Sequence, residues 1–213
     1  EEGYLPEAFI NFLALLGWSP SDDKEILSLE EMAAEFDLHK VHKAGARFSK
    51  EKAEWFNHQY LQRQSNEELL ESFKNLEETK NINLSDEKLL KIIGLMKERA
   101  TFVKDIYTQG KFFFEAPAEY DEKAVKKAWN EEAASIMTEL SEKLNTTEFK
   151  SEILKEEIHH LVEEKGLGFG KVMMPLRLAL VGELKGPDVP DLLEILGKEE
   201  SLTRLKLAIE KIK

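Results

Sequence analysis

Glu156, His159, His160 and Glu163 fall in one short stretch, and these are the side-chain types that ligate transition metals. Adjacent histidines on a helix point roughly 100° apart, so His159 and His160 do not converge on one ion as an H-x-x-x-H pair does. The pattern predicts a partly solvated helix and no metal site. Gly166-Leu-Gly-Phe-Gly-Lys171 has the composition of a phosphate-cradling loop. Its spacing is not that of a P-loop and no strand precedes it, so it reads as a helix C-cap and linker. Glu67-Glu68 and Glu131-Glu132 could be paired as acid and base, but such runs belong to solvated helix faces. Phe112-Phe-Phe114 could stack unpaired bases, or form a buried corner that takes at least one ring into the core. No Ser-His-Asp constellation has workable spacing, and no catalytic residue is expected in this chain.

A few cations remain. Arg99 stands in Met96-Lys-Glu-Arg99, a segment that reads as helical, with no acidic residue three or four positions away to pair with it. Arg177 is a lone charge in Pro175-Leu-Arg-Leu-Ala-Leu180, an apolar helix that Pro175 is expected to begin. A charge in that setting must reach solvent or find a partner. Lys171 lies roughly a turn and a half earlier and is a phosphate candidate. Lys43 and Arg47 flank Gly45, where the missing Cβ permits close approach to a ligand, although a solvated loop fits those residues too.

The elements that must hold these residues are helices. Leu5, Phe9, Phe12, Leu13 and Leu16 follow helical spacing up to Gly17, with Pro6 near the first turn. Ser28-Leu-Glu-Glu31 is a capping box opening a short helix to about Phe36. Ser49 caps another helix running to about Gln62, with Ala53, Phe56, Tyr60 and Leu61 inward. Longer helices are predicted over 65–78, 85–109, 121–143, 147–165, 169–182, 188–196 and 199–212. Strand alternation is lacking. The fold class is therefore mainly all-α: a small mixed N-terminal module followed by two helical bundles.

Composition narrows the function. With 213 residues, 42% hydrophobic and 34% charged, the chain can bury a core. It has no cysteine, which removes disulfides and thiolate chemistry. No apolar run reaches the roughly 18 residues needed to cross a bilayer, so a cytoplasmic protein with no membrane partner is expected. A net charge of -12 argues against indiscriminate polyanion binding and against DNA, yet a phosphate-binding face needs only a local cluster of cations.

Three blocks in order carry a family signature. Glu1-Glu-Gly-Tyr-Leu-Pro through Leu16-Gly-Trp-Ser-Pro20 resembles the segment after the KMSKS-type loop of bacterial-type glutamyl-tRNA synthetases. Phe36-Asp-Leu38, His42-Lys-Ala-Gly-Ala-Arg-Phe-Ser-Lys-Glu-Lys52, Trp55-Phe-Asn57 and Gln59-Tyr60 continue in that family's order. Met173-Met-Pro-Leu-Arg-Leu-Ala-Leu-Val-Gly182, Gly186-Pro187 and Leu196-Gly-Lys-Glu199 resemble its C-terminal domain.

The resemblance implies a stem-contact module at 1–63 and two anticodon-binding subdomains at 64–112 and 113–213. It implies that Arg99 contacts the last anticodon base and Arg177 the anticodon loop; Lys43, Arg47 and Lys171 stand beside them as candidate tRNA backbone contacts. The partner would be glutamate tRNA, bound by a monomer. The family's catalytic domain would precede Glu1, so this segment is expected not to activate glutamate. No cofactor is expected here, while ATP and magnesium would serve the full-length enzyme. Two other readings compete: an acidic helical module that binds partner helices, and a helical metalloenzyme built on His159 and His160.

Overall fold

The structure of the protein is a computed structural model that describes residues 3–22, 24–42 and 47–212. The chain divides into two compact units, Glu1–Gln109 and Gly110–Lys213.

In the first unit, α1 (Pro6–Gly17) carries proline in its first turn, where a missing N–H is harmless. Ser28 and Glu31 form the expected capping box at the start of α2 (Leu29–Glu35). Ser49 caps α3 (Lys50–Arg63), and Ser65 with Glu68 forms a second capping box ahead of α4 (Asn66–Lys74). Ser85 caps α5 (Asp86–Lys97), and α6 (Val103–Gln109) closes the unit. Phe12, Ile26, Ala53 and Phe56 bury a first core between α1 and α3, with Tyr4, Phe9 and Tyr60 packed on it. Trp18, Leu27 and Met32 make a second, smaller one. Leu69, Phe73, Ile92, Ile93, Met96 and Ile106 are buried along α4, α5 and α6, which pack against one another.

In the second unit, a 3-10 turn at Lys111–Phe113 is followed by α7 (Glu122–Ala128), α8 (Glu131–Thr146) and α9 (Ser151–Glu164). Then come α10 (Phe169–Val181), α11 (Val189–Leu196) and α12 (Lys198–Lys211). Helix α10 touches each of the five others. Its sequence explains that place: Val172, Leu176, Leu178, Ala179 and Leu180 are all fully buried, and a helix apolar on most sides belongs in the middle of a bundle. Phe112 and Phe113 are buried and Phe114 is half-buried, so the aromatic run forms a corner of this unit. Gly166, with φ +61, closes α9, as expected of the glycine run: the Leu167 N–H reaches the Val162 carbonyl at 3.0 Å.

The fold is all-helical, with the isolated bridge Trp18–Val41 as its β pairing among the described residues. Several boundaries differ from the sequence expectation. The helix expected over 85–109 is two, because the Asp105 carboxylate accepts the Thr101 and Phe102 N–H groups and opens α6 separately. That over 121–143 is also two, since the Asn130 side chain caps Ala133 and starts α8 anew. Pro175 lies inside α10 instead of beginning it. The break expected between 143 and 147 falls a little later: α8 runs to Thr146, and α9 starts at Ser151.

Candidate functional site

Where α5 ends, three side chains of α3 meet its last carbonyl and two carbonyls of the turn that follows. Gln62 Nε2 donates to the Lys97 carbonyl at 2.6 Å, and Asn57 Nδ2 donates to Thr101 at 2.6 Å. His58 Nδ1 lies 2.8 Å from the Ala100 carbonyl oxygen. A carbonyl can only accept, so Nδ1 carries the proton. The same Asn57 accepts the Leu5 N–H at 2.7 Å through Oδ1, which ties the entrance of α1 to this turn. Arg99 therefore stands in the turn after α5 and not on a helix as expected; its N–H bonds to the Met96 carbonyl at 3.1 Å. Its side chain is exposed, and no ion pair or hydrogen bond holds the guanidinium among the described residues. Lys97, not singled out from sequence, ends α5 two residues before it, and its ammonium donates to the Gln64 carbonyl.

The other expected contacts are scattered. Arg177 is half-buried on α10 and donates through Nη1 to the Pro187 carbonyl, so the lone charge finds a backbone partner. Gly186 sits against it, and a Cβ there would come within 3.1 Å of that nitrogen. Lys171, on the same helix, pairs with Glu132 at 3.0 Å. Arg47 is exposed, and Lys43 lies outside the described residues. Arg99 and Arg47 belong to the first unit, Lys171 and Arg177 to the second.

Sequence reading missed Arg204, which is only 2% exposed. It donates to Glu200 at 2.7 Å, to the Phe112 carbonyl at 2.6 Å and to the Leu180 carbonyl at 2.8 Å. Those bonds join α12, the aromatic corner and the end of α10. Nothing in Glu200-Ser-Leu-Thr-Arg204 distinguishes it from an ordinary solvated i,i+4 pair.

His160 faces Glu164 at 3.8 Å, and His159 packs on Phe169 with ring centroids 4.9 Å apart. Among the described residues no three His, Asp or Glu side chains gather to hold a metal ion. The residues here do not fit an ATP-magnesium cradle.

The class defined here is an all-helical chain of two units, with Arg47 and Arg99 in the first and Lys171 and Arg177 in the second. The chain matches the family described as Anticodon binding domain over residues 58–209, and it belongs to that family. Residues 1–55 match the family described as tRNA synthetases class I (E and Q), catalytic domain. A glutamate–tRNA ligase of Bacteroides thetaiotaomicron is 47% identical over 214 residues, covering 100% of this chain and 42% of its own length. One from Porphyromonas gingivalis is 46% identical over 211 residues, with coverage of 99% and 42%. The crystal structure of a glutamate tRNA ligase from Elizabethkingia meningosepticum superposes with a TM-score of 0.97 at 68% identity. It matches 100% of this chain and 42% of that one. The chain thus spans about two fifths of the length of these relatives.

Proposed function

We propose that this chain is the tRNA-recognition part of a glutamate–tRNA ligase, the parent being an ATP-dependent enzyme whose bond-making residues lie in the rest of its length. The match of the whole chain to two fifths of glutamate–tRNA ligases, with the anticodon-binding family over 58–209, carries this reading. Residues 1–63 serve as the stem-contact module, and 64–112 and 113–213 as two anticodon-binding subdomains. Their work is positioning: an anticodon held at one end places the acceptor end at a distant catalytic site. ATP and magnesium belong to that site. The chain acts as a cytoplasmic monomer.

Arg99 suits the last anticodon base, because an exposed guanidinium on a fixed turn can present its planar fork to the edge of an unpaired base. Arg177, already held by Pro187, offers a pre-positioned contact to the anticodon loop. Lys171, Lys43 and Arg47 are the backbone contacts, and Lys171 must exchange Glu132 for a phosphate.

Direct binding of anticodon stem-loops to the chain tests the reading. The glutamate tRNA stem-loop should bind more tightly than the glutamine one, with affinity falling linearly in log salt as counterions are released. Salt-independent binding of an apolar peptide, with none of RNA, would overturn it in favour of a protein-interaction module.

A further inference from the structure

We infer that α3 is the positioning element for Arg99: His58 and Gln62, with Asn57 beside them, hold the turn that displays the guanidinium. This rests on the base-reading role proposed for Arg99 and adds to it the residues that make that role selective.

A helix C-terminus leaves its last carbonyls without intrahelical partners, and water usually satisfies them. Here the turn is bound to protein on both sides of Arg99. Gln62 holds the Lys97 carbonyl two residues before it, and His58 holds the Ala100 carbonyl one residue after it. His58 and Gln62 are one helical turn apart on α3, so they share a face and grip the turn as a pair. Asn57 adds Thr101 and, through its other atom, Leu5. The grip is anchored, because Ala53 and Phe56 of the same helix are buried in the α1–α3 core. From the other side, Asp105 accepts the Thr101 and Phe102 N–H groups at 2.9 and 2.8 Å.

The consequence concerns selectivity more than affinity. Arginine is a long side chain, and its fork discriminates between base edges only if its root does not drift. A turn fixed before binding also lowers the ordering cost of recognition. Asn57, His58 and Gln62 stand where the two family matches meet, one ending at residue 55 and the other beginning at 58. Helix α3 thereby joins the stem-contact segment mechanically to the anticodon-reading turn.

The test measures binding of the chain to two stem-loops, that of glutamate tRNA and a copy altered only at the last anticodon base. Arg99→Ala should reduce the ratio of the two affinities by roughly tenfold, a typical worth of one planar base contact. The double variant His58→Ala/Gln62→Ala should reduce that ratio about three- to fivefold while the cooperative thermal transition remains. Adding Arg99→Ala to it should bring the ratio no lower than Arg99→Ala alone, the non-additivity expected of residues acting through one another. His58→Gln, which keeps a donor, should restore part of the ratio. Should the double variant fail to fold, Gln62→Glu, which keeps the size and loses the donor, makes the same comparison.

A ratio lost in Arg99→Ala but intact in the α3 variants overturns the positioning role and leaves base reading standing. A ratio untouched by Arg99→Ala removes base reading and the positioning claim with it. Effects of the α3 variants that multiply with Arg99→Ala show a merely structural role and overturn the inference.

Discussion

The two units solve the problem of a helical core in different ways. The second buries a nearly all-apolar helix, α10, at its centre and exposes one large hydrophobic side chain among the described residues, Phe169. The first leaves Ile10, Leu13, Leu29, Phe36, Leu38, Val41, Phe48 and Trp55 exposed. It relies on Asn11 and Asn57, both fully buried, to join its helices by hydrogen bonds. Asn11 accepts the Leu27 N–H at 3.0 Å and the Tyr60 hydroxyl at 2.9 Å. The exposed apolar residues all fall within 1–55, the stretch that matches the catalytic-domain family, whereas the second unit lies almost wholly within the anticodon-binding match. Apolar exposure therefore follows family boundaries more closely than chain position. Stability in the second unit should depend on its packed interior, and in the first on a few placed amides.

The largest effect should come from Arg204. Arg204→Ala removes the donor to two buried carbonyls and leaves a cavity, so unfolding of the second unit should be easier by about 3–5 kcal/mol. Arg204→Lys should recover little, because one ammonium cannot stand both where Nη1 reaches the Phe112 and Leu180 carbonyls and where Nε donates to Glu200. Urea denaturation measures both, and a loss below about 1 kcal/mol for the alanine would contradict the role given to this residue.

Gly182 comes next. Its φ is +87, and a Cβ there would sit 2.9 Å from the Glu119 carbonyl oxygen and from Pro117 Cβ. Its own carbonyl accepts the Asp121 N–H at 2.8 Å, so the crowded segment is also bonded to it. Gly182→Ala should cost about 2–4 kcal/mol, combining left-handed backbone strain with the clash. In the first unit, Asn57→Ala leaves the Leu5 N–H and the Thr101 carbonyl unpaired and should cost about 2–3 kcal/mol. Leu38→Lys, at a position 77% exposed, should change stability by less than about 0.5 kcal/mol. If Leu38→Lys destabilises as much as Asn57→Ala, the contrast drawn between the units is wrong.

Local chemistry made much of this legible. The Ser28–Glu31 capping box, the Ser49 cap and the closing glycine at Gly166 each act within a few residues, so a linear reading finds them. The break after α7 is marked locally by the Asn130 cap, which the linear reading passed over, whereas the end of α5 was hidden because no helix breaker stands there. Lys97 to Ala100 are ordinary helix formers, and the break is imposed by Asp105 and by side chains from α3, about forty positions away in sequence. Partners outside their own helix likewise hid the settings of candidate site residues. Lys171 meets Glu132 of α8, and Arg177 meets Pro187 beyond the end of its own helix. Arg99 was singled out by the family resemblance, and the helical placement expected for it was wrong for the same tertiary reason.

The smallest effect separates the units by pH. Glu31, Glu68 and Glu78 of the first unit are held below the usual carboxylate value. For Glu31 the chief cause is the Lys24 hydrogen bond, for Glu68 the Ser65 N–H, and for Glu78 the Lys104 hydrogen bond. In the second unit Glu164 is lowered in the same sense, by Lys143. A lowered carboxylate contributes stability that is complete above its ordinary value of 4.5 and lost as pH falls through the lower folded value. Raised amines act in reverse: Lys143 beside Glu164 and Lys150 beside Glu148 contribute below 10.5, and that contribution disappears as pH rises through their folded values. Lys104 does the same in the first unit. Acid should thus weaken the first unit more, and alkali the second. None of these groups is buried, so both trends should be slight and should fade at high salt. Trp129 in a Trp18→Phe/Trp55→Phe chain reports the second unit, and Trp55 in a Trp18→Phe/Trp129→Phe chain reports the first. Urea midpoints that move together at both pH extremes would show that the two units unfold as one, and would dissolve the distinction between them.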